Sequence, residues 1–291
     1  MKTVRDYKVV DVFTTRPLAG NPVAVVFDAD GLVSEAMQAI ASWTNLSETT
    51  FVLTPTTPAA DYRLRIFTPR SELPFAGHPT LGSAHAILEA GRVKLREGDR
   101  LVQQCNVGLV DVTVADGEFT FALPGSHIEP LAAEDVAELE RIVGGPLQHE
   151  AMPARVDVGP VWVILPMADA AAVLALKPDF ARLAAFERRL GATGLCVFGR
   201  YPQGGEADIE VRAFAPSCGV DEDPVCGSGN ASVAAYQWER GMLPPGGTAY
   251  LAAQGRCVGR DGRVRVQVDA GGKVRVGGAC ITCVDGQLAL A

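Results

Sequence analysis

The feature of this sequence that most constrains its fold is an internal repeat. Residues 61–67, Asp-Tyr-Arg-Leu-Arg-Ile-Phe, match residues 208–214, Asp-Ile-Glu-Val-Arg-Ala-Phe, at a separation of 147 residues. Further along, Gly77 and Gly227 correspond at a separation of 150 residues, and each glycine precedes a helix-like segment. A strand, a loop, a glycine turn and a helix therefore recur in the same order, which predicts two structurally similar halves.

A chain of 291 residues with 48% hydrophobic residues can give each half a core of its own. We predict domains at 1–128 and 129–291, with the C-terminal strands able to cross back to the first domain. The net charge of −8 and the absence of Lys or Arg runs argue against nucleic acid or an anionic membrane as a partner. Small molecules or protein partners remain. No stretch approaches the roughly 18 apolar residues of a membrane span, and the N-terminus lacks a signal-peptide core, so we expect a cytoplasmic protein.

The two glycine turns are candidate anion sites. The sequence predicts helices over 79–90 and 231–240, so Gly77 and Gly227 fall in the turns that precede them. Such a turn presents free backbone N–H groups and the positive end of a helix dipole, and it can therefore bind a carboxylate or a developing enolate. The alternative is that the glycines serve only a tight turn.

Two titratable residues of the first half suit proton transfer. Glu48 lies at the start of an apolar strand, where partial desolvation makes a carboxylate a stronger base. Its structural alternative is a strand end that faces water. His78 directly follows Gly77, so it can donate a hydrogen bond to an anion or relay a proton, or it can serve only as a helix cap.

The second half offers Asp223 and Cys226 just before its glycine turn. Asp223 can orient His78 or bind a substrate amine or hydroxyl, or it can be an acid placed near a helix N-terminus. Helix N-termini stabilise thiolates, but Asp221, Glu222 and Asp223 oppose a second negative charge, so the reactivity of Cys226 stays open. The seven cysteines lack paired metal-ligand spacing, and no nucleotide fingerprint is present, so we expect reduced thiols, no metal and no cofactor.

Three ordered motifs give the chain a family resemblance. They are Leu-Ser-Glu-Thr-Thr-Phe at 46–51, Phe-Ala-Gly-His-Pro-Thr at 75–80 and Glu-Asp-Pro-Val-Cys-Gly-Ser at 222–228. Over nearly the whole chain the sequence resembles the PhzF-like family of phenazine-biosynthesis isomerases. The resemblance implies an α/β (α+β) fold of the diaminopimelate epimerase type, with two similar domains, each a curved mixed sheet around a central helix. It also implies a homodimer with the active site between the two domains.

The resemblance implies site residues as well. Glu48 corresponds to the acid/base that moves a proton on a small cyclic carboxylic acid. The pocket residues that the resemblance implies are Gly77, His78, Asp223, Gly227 and Ser228. Cys226 departs from the pattern, because many family members have Thr there, whereas related epimerases have a catalytic cysteine in the equivalent turn. The other cysteine of those epimerases falls at Ala76 in this chain.

We therefore predict a cofactor-independent isomerase or epimerase with Glu48 as general acid/base and with His78, Asp223 and Cys226 as further candidate catalytic residues. Its substrate is expected to be a small molecule that bears a carboxylate. Two alternatives remain. One is a proline-type racemase or dehydratase that uses Cys226, and the other is a non-catalytic ligand-binding or interaction protein.

Overall fold

A computed structural model describes residues 4–123, 125–147, 152–244 and 248–290. Up to residue 122 the elements are β1 (Val4–Val12), β2 (Asn21–Val26), α1 (Ser34–Thr44), β3 (Glu48–Leu53), β4 (Tyr62–Phe67), β5 (Glu72–Leu73), α2 (Gly77–Glu89), β6 (Arg100–Cys105), β7 (Gly108–Ala115) and β8 (Glu118–Ala122). The elements that follow are β9 (His127–Pro130), α3 (Ala133–Val143), β10 (Ala154–Asp157), β11 (Val161–Pro166), α4 (Ala170–Ala175), α5 (Phe180–Leu190), β12 (Gly194–Arg200), β13 (Ile209–Ala215), β14 (Val220–Asp223), α6 (Gly227–Glu239), β15 (Ala249–Gln254), β16 (Gly262–Val268) and β17 (Val274–Ala289), with short 3-10 helices at Pro216–Cys218 and Arg256–Val258.

The chain divides into two compact units. Unit 1 comprises Met1–Ala122 together with Gly277–Ala291, and unit 2 comprises Leu123–Val276. Unit 2 is therefore continuous in sequence, whereas the last strand of unit 1 comes from the C-terminal end of the chain.

Unit 1 is a closed β-barrel around a helix. Its strands pair in the order β1, β2, β3, β4, β6, β7, β8 and β17, and β17 pairs in turn with β1. Helix α2 is buried without interruption from His78 to Ala84, and it contacts β1, β2, β3 and β8. A helix that is buried around its circumference, and not along one stripe, must lie inside the structure.

The close fit of this helix depends on a small residue. A Cβ atom on Gly82 would lie 2.4 Å from Cγ1 of Val23 and 2.9 Å from Cγ2 of Val12, so only glycine allows the helix to approach the barrel wall this closely. On the outside of the barrel, α1 packs its apolar face against β2, β3 and β4 through a cluster that includes Met37, Phe51 and Phe67.

Unit 2 has the same plan. Its strands pair in the order β9, β10, β11, β12, β13, β15 and β16. Helix α6 is buried without interruption from Gly229 to Gln237, and it contacts β10, β11, β12 and β16. Helices α3 and α5 cover an apolar cluster that includes Leu139, Leu183 and Phe214.

The predicted repeat is confirmed strand by strand. From β1 to β7 the neighbouring strands of unit 1 run antiparallel, parallel, antiparallel, parallel and antiparallel. From β10 to β16 the strands of unit 2 follow the same series of directions. Each unit therefore has a curved mixed sheet and a central helix, as the fold class predicted.

The helix starts differ from the sequence-based expectation. Helix α2 begins at Gly77 instead of at residue 79, and α6 begins at Gly227 instead of at residue 231. The glycines thus lie in the first turns and not in loops before them, because the extended residues Ala76 and Cys226 occupy the N-cap positions. Across the described ranges, none of the helices has the length and apolar character needed to span a membrane.

Candidate active site

Glu48 is the first residue of β3, and its backbone pairs in parallel register with Val23 of β2. The strand is anchored on both sides of the sheet: the hydroxyl of Thr49 is 2.7 Å from that of Thr44, and the hydroxyl of Thr50 donates to the carbonyl of Ala24 at 3.2 Å. The Glu48 side chain is only 15% exposed. A carboxyl group is thus carried into the interior by a strand that pairs with β2 and β4, which differs from the solvent-facing strand end of the alternative interpretation.

The first turn of α2 brings His78 to this carboxyl. Nε2 of His78 lies 3.3 Å from Oε2 of Glu48. The backbone carbonyl of Pro22 accepts a hydrogen bond from the same ring, and burial lowers the pKa of His78 to about 3, although this hydrogen bond opposes the shift. The imidazole is therefore neutral at pH 7.

Gly77 sets the approach of this helix start to the barrel. A Cβ atom at this position would lie 2.8 Å from Cζ of Phe121, so a larger residue would displace the aromatic ring or the helix. Gly77 thereby fixes the position of His78 against β3. In unit 1 the structure brings together the three predicted site residues Glu48, Gly77 and His78.

In unit 2, Asp223 ends β14 and faces the turn before α6. Its Oδ1 accepts the backbone N–H of Val225 at 3.1 Å, and its carboxyl is hydrogen-bonded to the thiol of Cys226. Burial raises the pKa of Asp223 to about 6, against the opposing effect of these two hydrogen bonds. The carboxyl can therefore exchange a proton close to neutral pH.

Cys226 is the N-cap residue of α6. Its Sγ accepts the backbone N–H of Gly229 at 3.2 Å and lies 3.6 Å from Oγ of Ser228. The side chain is buried, and burial, with the charge of Asp223 as a second cause, raises the pKa of the thiol well above its ordinary value. Cys226 is thus a neutral thiol at pH 7, since desolvation outweighs the helix dipole.

Two polar residues that hold this turn were not among the predicted site residues. The Gln254 side chain accepts the N–H of Cys226 at 3.0 Å and donates to the carbonyl of Asp223 at 3.0 Å. The amide of Asn230 donates to the same Gln254 oxygen at 2.8 Å. The turn is therefore fixed from β15 and from within α6.

A third residue that was not predicted contacts Ser228 directly. The indole N–H of Trp162, on β11, donates to Oγ of Ser228 at 3.0 Å. Ser228 and the buried Gly227 begin α6, next to Asp223 and Cys226. In unit 2 the structure thus brings together the four predicted site residues, with Trp162, Asn230 and Gln254 around them.

The described residues contain no group of three or more His, Cys, Asp or Glu side chains arranged to hold a metal ion. All seven cysteines are free thiols, including Cys280 and Cys283, which lie on β17.

Comparison with known proteins identifies the family. The model of the phenazine biosynthesis-like proteins (PhzC-PhzF) matches residues 10–286. Antisense-enhancing sequence 1 of Schizosaccharomyces pombe is 40% identical over 98% of this chain and 99% of its own length. Trans-2,3-dihydro-3-hydroxyanthranilate isomerase of Pseudomonas aeruginosa is 35% identical over 92% of this chain and 91% of its own.

A solved structure agrees with the fold. The crystal structure of the Bacillus anthracis phenazine biosynthesis protein of the PhzF family aligns with a TM-score of 0.84, covers 99% of both chains and is 24% identical in sequence. The diaminopimelate epimerase-like fold expected from the resemblance is thereby confirmed. The chain belongs to the family of phenazine biosynthesis-like (PhzF) proteins, and it is an isomerase.

Proposed function

We propose that this isomerase moves a proton on a small carboxylic acid without a cofactor, with Glu48 as the general acid/base. The observation that carries the proposal is the 3.3 Å contact between Glu48 Oε2 and Nε2 of a neutral, buried His78. A base of this kind must be held within hydrogen-bonding reach of its proton, and both side chains are fixed by regular structure.

The hydrogen-bonding pattern of His78 supports proton transfer within this pair. Nε2 faces Glu48, so the hydrogen bond to the Pro22 carbonyl belongs to Nδ1, which must carry the hydrogen of the neutral ring. Nε2 then presents a lone pair to Oε2. This lone pair can accept a proton that the carboxyl has taken from the substrate. We infer that His78 assists Glu48 in proton transfer.

Each central helix begins with hydrogen-bond donors that suit the anionic part of a substrate. The first turns at Gly77 and Gly227 carry backbone N–H groups that lie at the positive ends of the α2 and α6 dipoles. Donors of this kind stabilise the negative charge that develops on a carboxylate or enolate when a neighbouring proton is removed. Asp223 is proposed to bind a substrate amine or hydroxyl group.

The geometry favours Glu48 over Cys226 as the group that moves the proton. A thiol base acts as a thiolate, but the Cys226 thiol is held neutral by burial. Its sulfur already accepts the Gly229 N–H as a helix cap. The place of a second thiol is occupied by Ala76, so a two-thiol racemase mechanism has no partner in this chain.

Solvent-deuterium exchange into trans-2,3-dihydro-3-hydroxyanthranilate, the compound in the name of the Pseudomonas aeruginosa relative, tests the proposal. Glu48→Gln keeps the size of the side chain but cannot accept a proton near neutral pH. We expect exchange to fall by about 10²- to 10⁴-fold with binding preserved. Glu48→Asp should also lose exchange, because its shorter side chain moves the carboxyl away from the substrate proton by more than about 1 Å.

The matched control is Glu35→Gln, which removes an acid from the exposed start of α1. This variant should exchange like the parent. Undiminished exchange in Glu48→Gln would show that another group is the base. If the parent does not act on this compound, the same measurement on other small cyclic carboxylic and amino acids identifies the substrate.

A further inference from the structure

The packing around Trp162 fixes the direction of its indole N–H. It pairs in parallel register with Gly194, the first residue of β12, and its side chain is 2% exposed. A Cβ atom on Gly194 would lie 2.6 Å from Cζ3 of Trp162, so the ring occupies the space that any side chain at this position would need. The ring is therefore held against β12 with its nitrogen directed at Ser228, at 3.0 Å.

Unit 1 makes the corresponding contact to its central helix from the neighbouring strand. Glu48 is the first residue of β3 as Gly194 is the first of β12, and the parallel partner of Glu48 is Val23 as that of Gly194 is Trp162. In unit 1 the carboxyl reaches the second residue of the central helix, His78. In unit 2 the indole reaches the corresponding residue, Ser228. Gly194 therefore stands where unit 1 has its acid, and the contact to the helix comes from Trp162, at the position of Val23, through a group that can only donate a hydrogen bond.

The indole contact decides what the Ser228 hydroxyl can do. Because the indole N–H only donates, Oγ must accept on that side, and its single hydrogen is left for a different acceptor. The nearby acceptor is Sγ of Cys226, at 3.6 Å, and sulfur is a weak acceptor. An anionic oxygen is a much stronger acceptor. The Ser228 hydroxyl therefore donates its hydrogen bond to a bound carboxylate in preference to the sulfur.

We propose that Trp162 is a positioning residue that orients the Ser228 hydroxyl as a hydrogen-bond donor to the carboxylate of the substrate. This inference rests on the proposed function, in which the start of α6 binds the anionic part of the substrate. It adds that the hydroxyl donor at the start of α6 is fixed from β11.

The first measurement reads the hydrogen bond itself. Protein labelled with ¹⁵N in its three tryptophans gives one indole N–H signal for each, and Trp162→Phe assigns the signal of Trp162. We expect Ser228→Ala to move this signal and to leave those of Trp43 and Trp238 in place. Anthranilate, a carboxylate probe, should move it in the parent. If millimolar anthranilate leaves the signal unmoved, the inference is wrong.

The second measurement is the dissociation constant of anthranilate, determined by calorimetry. Loss of one oriented hydrogen bond weakens binding by about 2- to 12-fold, so Trp162→Phe should bind anthranilate more weakly by this factor. Since Trp162 acts through Ser228, the double variant should bind no more weakly than Ser228→Ala alone. Effects of the two substitutions that simply multiply would overturn the inference.

The matched control is Trp43→Phe, which changes a tryptophan that is 75% exposed on α1 and should bind anthranilate like the parent. Unshifted Trp43 and Trp238 signals in Trp162→Phe show that this variant is folded. The two proposals can fail independently. If Glu48→Gln stops exchange while Trp162→Phe binds anthranilate like the parent, only the proposed role of Trp162 is wrong. If Glu48→Gln exchanges normally while the indole results hold, only the role of Glu48 falls.

Discussion

Glu210 is a buried acid outside the candidate site. From its burial we predict how the stability of the protein depends on pH. It is the second residue of β13, paired with Gly199 and Ala253, and is 1% exposed. The hydroxyl of Tyr201 donates to its Oε2 at 2.6 Å but is also hydrogen-bonded to Glu206, so one hydroxyl hydrogen serves two carboxyl groups. Oε1 of Glu210 has no hydrogen-bond partner among the described residues.

These surroundings favour the protonated acid. Burial raises the pKa of Glu210 from 4.5 to about 7, and Glu206 acts in the same direction. Arg256 and Arg263 favour the charged form but do not compensate for burial. One unit of pKa difference corresponds to about 1.4 kcal/mol of free energy, so the difference between the folded and unfolded pKa of Glu210 corresponds to about 3 kcal/mol of stability.

The direction of the change in stability with pH follows from proton binding. Between pH 4.5 and about 7 the folded protein holds a proton on Glu210 that the unfolded chain releases. Stability from this group is therefore fully present below pH 4.5 and is lost as the pH rises to about 7, above which the loss is constant. Glu210→Gln mimics the neutral acid, so it removes this dependence. We expect the variant to match the parent near pH 5 and to be more stable by about 2 to 3 kcal/mol at pH 8.

Urea unfolding at pH 5, 6, 7 and 8, followed by circular dichroism, measures the difference. The control is Glu239→Gln, which changes an exposed acid at the end of α6 and should shift stability by the same amount at every pH in this range. Parallel curves for the parent and Glu210→Gln would refute the reasoning, because they would show that Glu210 is ionised in the folded protein throughout.

Two further predictions concern the central helices. Cys226→Thr should keep most of the deuterium exchange, because the neutral thiol serves as an N-cap and Thr is a good N-cap residue. A loss of exchange as large as that of Glu48→Gln would show that the thiol is a principal catalyst. Gly82→Ala should lower stability in urea unfolding by about 1 to 3 kcal/mol, because its Cβ would contact Val23 and Val12 at 2.4 and 2.9 Å and these short side chains cannot move away; an unchanged or raised stability, as helix propensity alone predicts, would contradict the observed packing.

The repeat could be predicted because its evidence is local. The alternating pattern at 61–67 and 208–214 reappears as β4 and β13, with ends that lie within one residue of the matched segments. The Asp116-Gly117 turn between β7 and β8 also follows from local chemistry, since both residues adopt positive φ. Such signals depend on a few neighbouring residues and do not require knowledge of the packing.

The helix starts and the state of Cys226 could not be predicted in the same way. Glycine is a poor helix former, so sequence reasoning placed Gly77 and Gly227 before the helices, whereas tertiary packing extends both helices through them. The helix dipole alone suggests a reactive Cys226, but its pKa is decided by burial, which depends on the whole unit. The contact between Trp162 and Ser228 joins residues 66 positions apart, so it depends on the packing of β11 against α6.

The closure of unit 1 by β17 has a consequence for how the chain folds during synthesis. Strand β1 is made before unit 2, but one of its two neighbours, β17, is made after nearly all of unit 2, with registered pairs from Val4–Ala289 to Val12–Cys280. Until β17 has been made, β1 presents an unpaired edge of the kind that recruits foreign strands. Unit 2 is contiguous and can form on the ribosome, whereas the barrel of unit 1 must wait for β17. Loss of residues 279–290 would therefore damage the barrel of unit 1 and spare unit 2, which is nearer to the deletion in sequence.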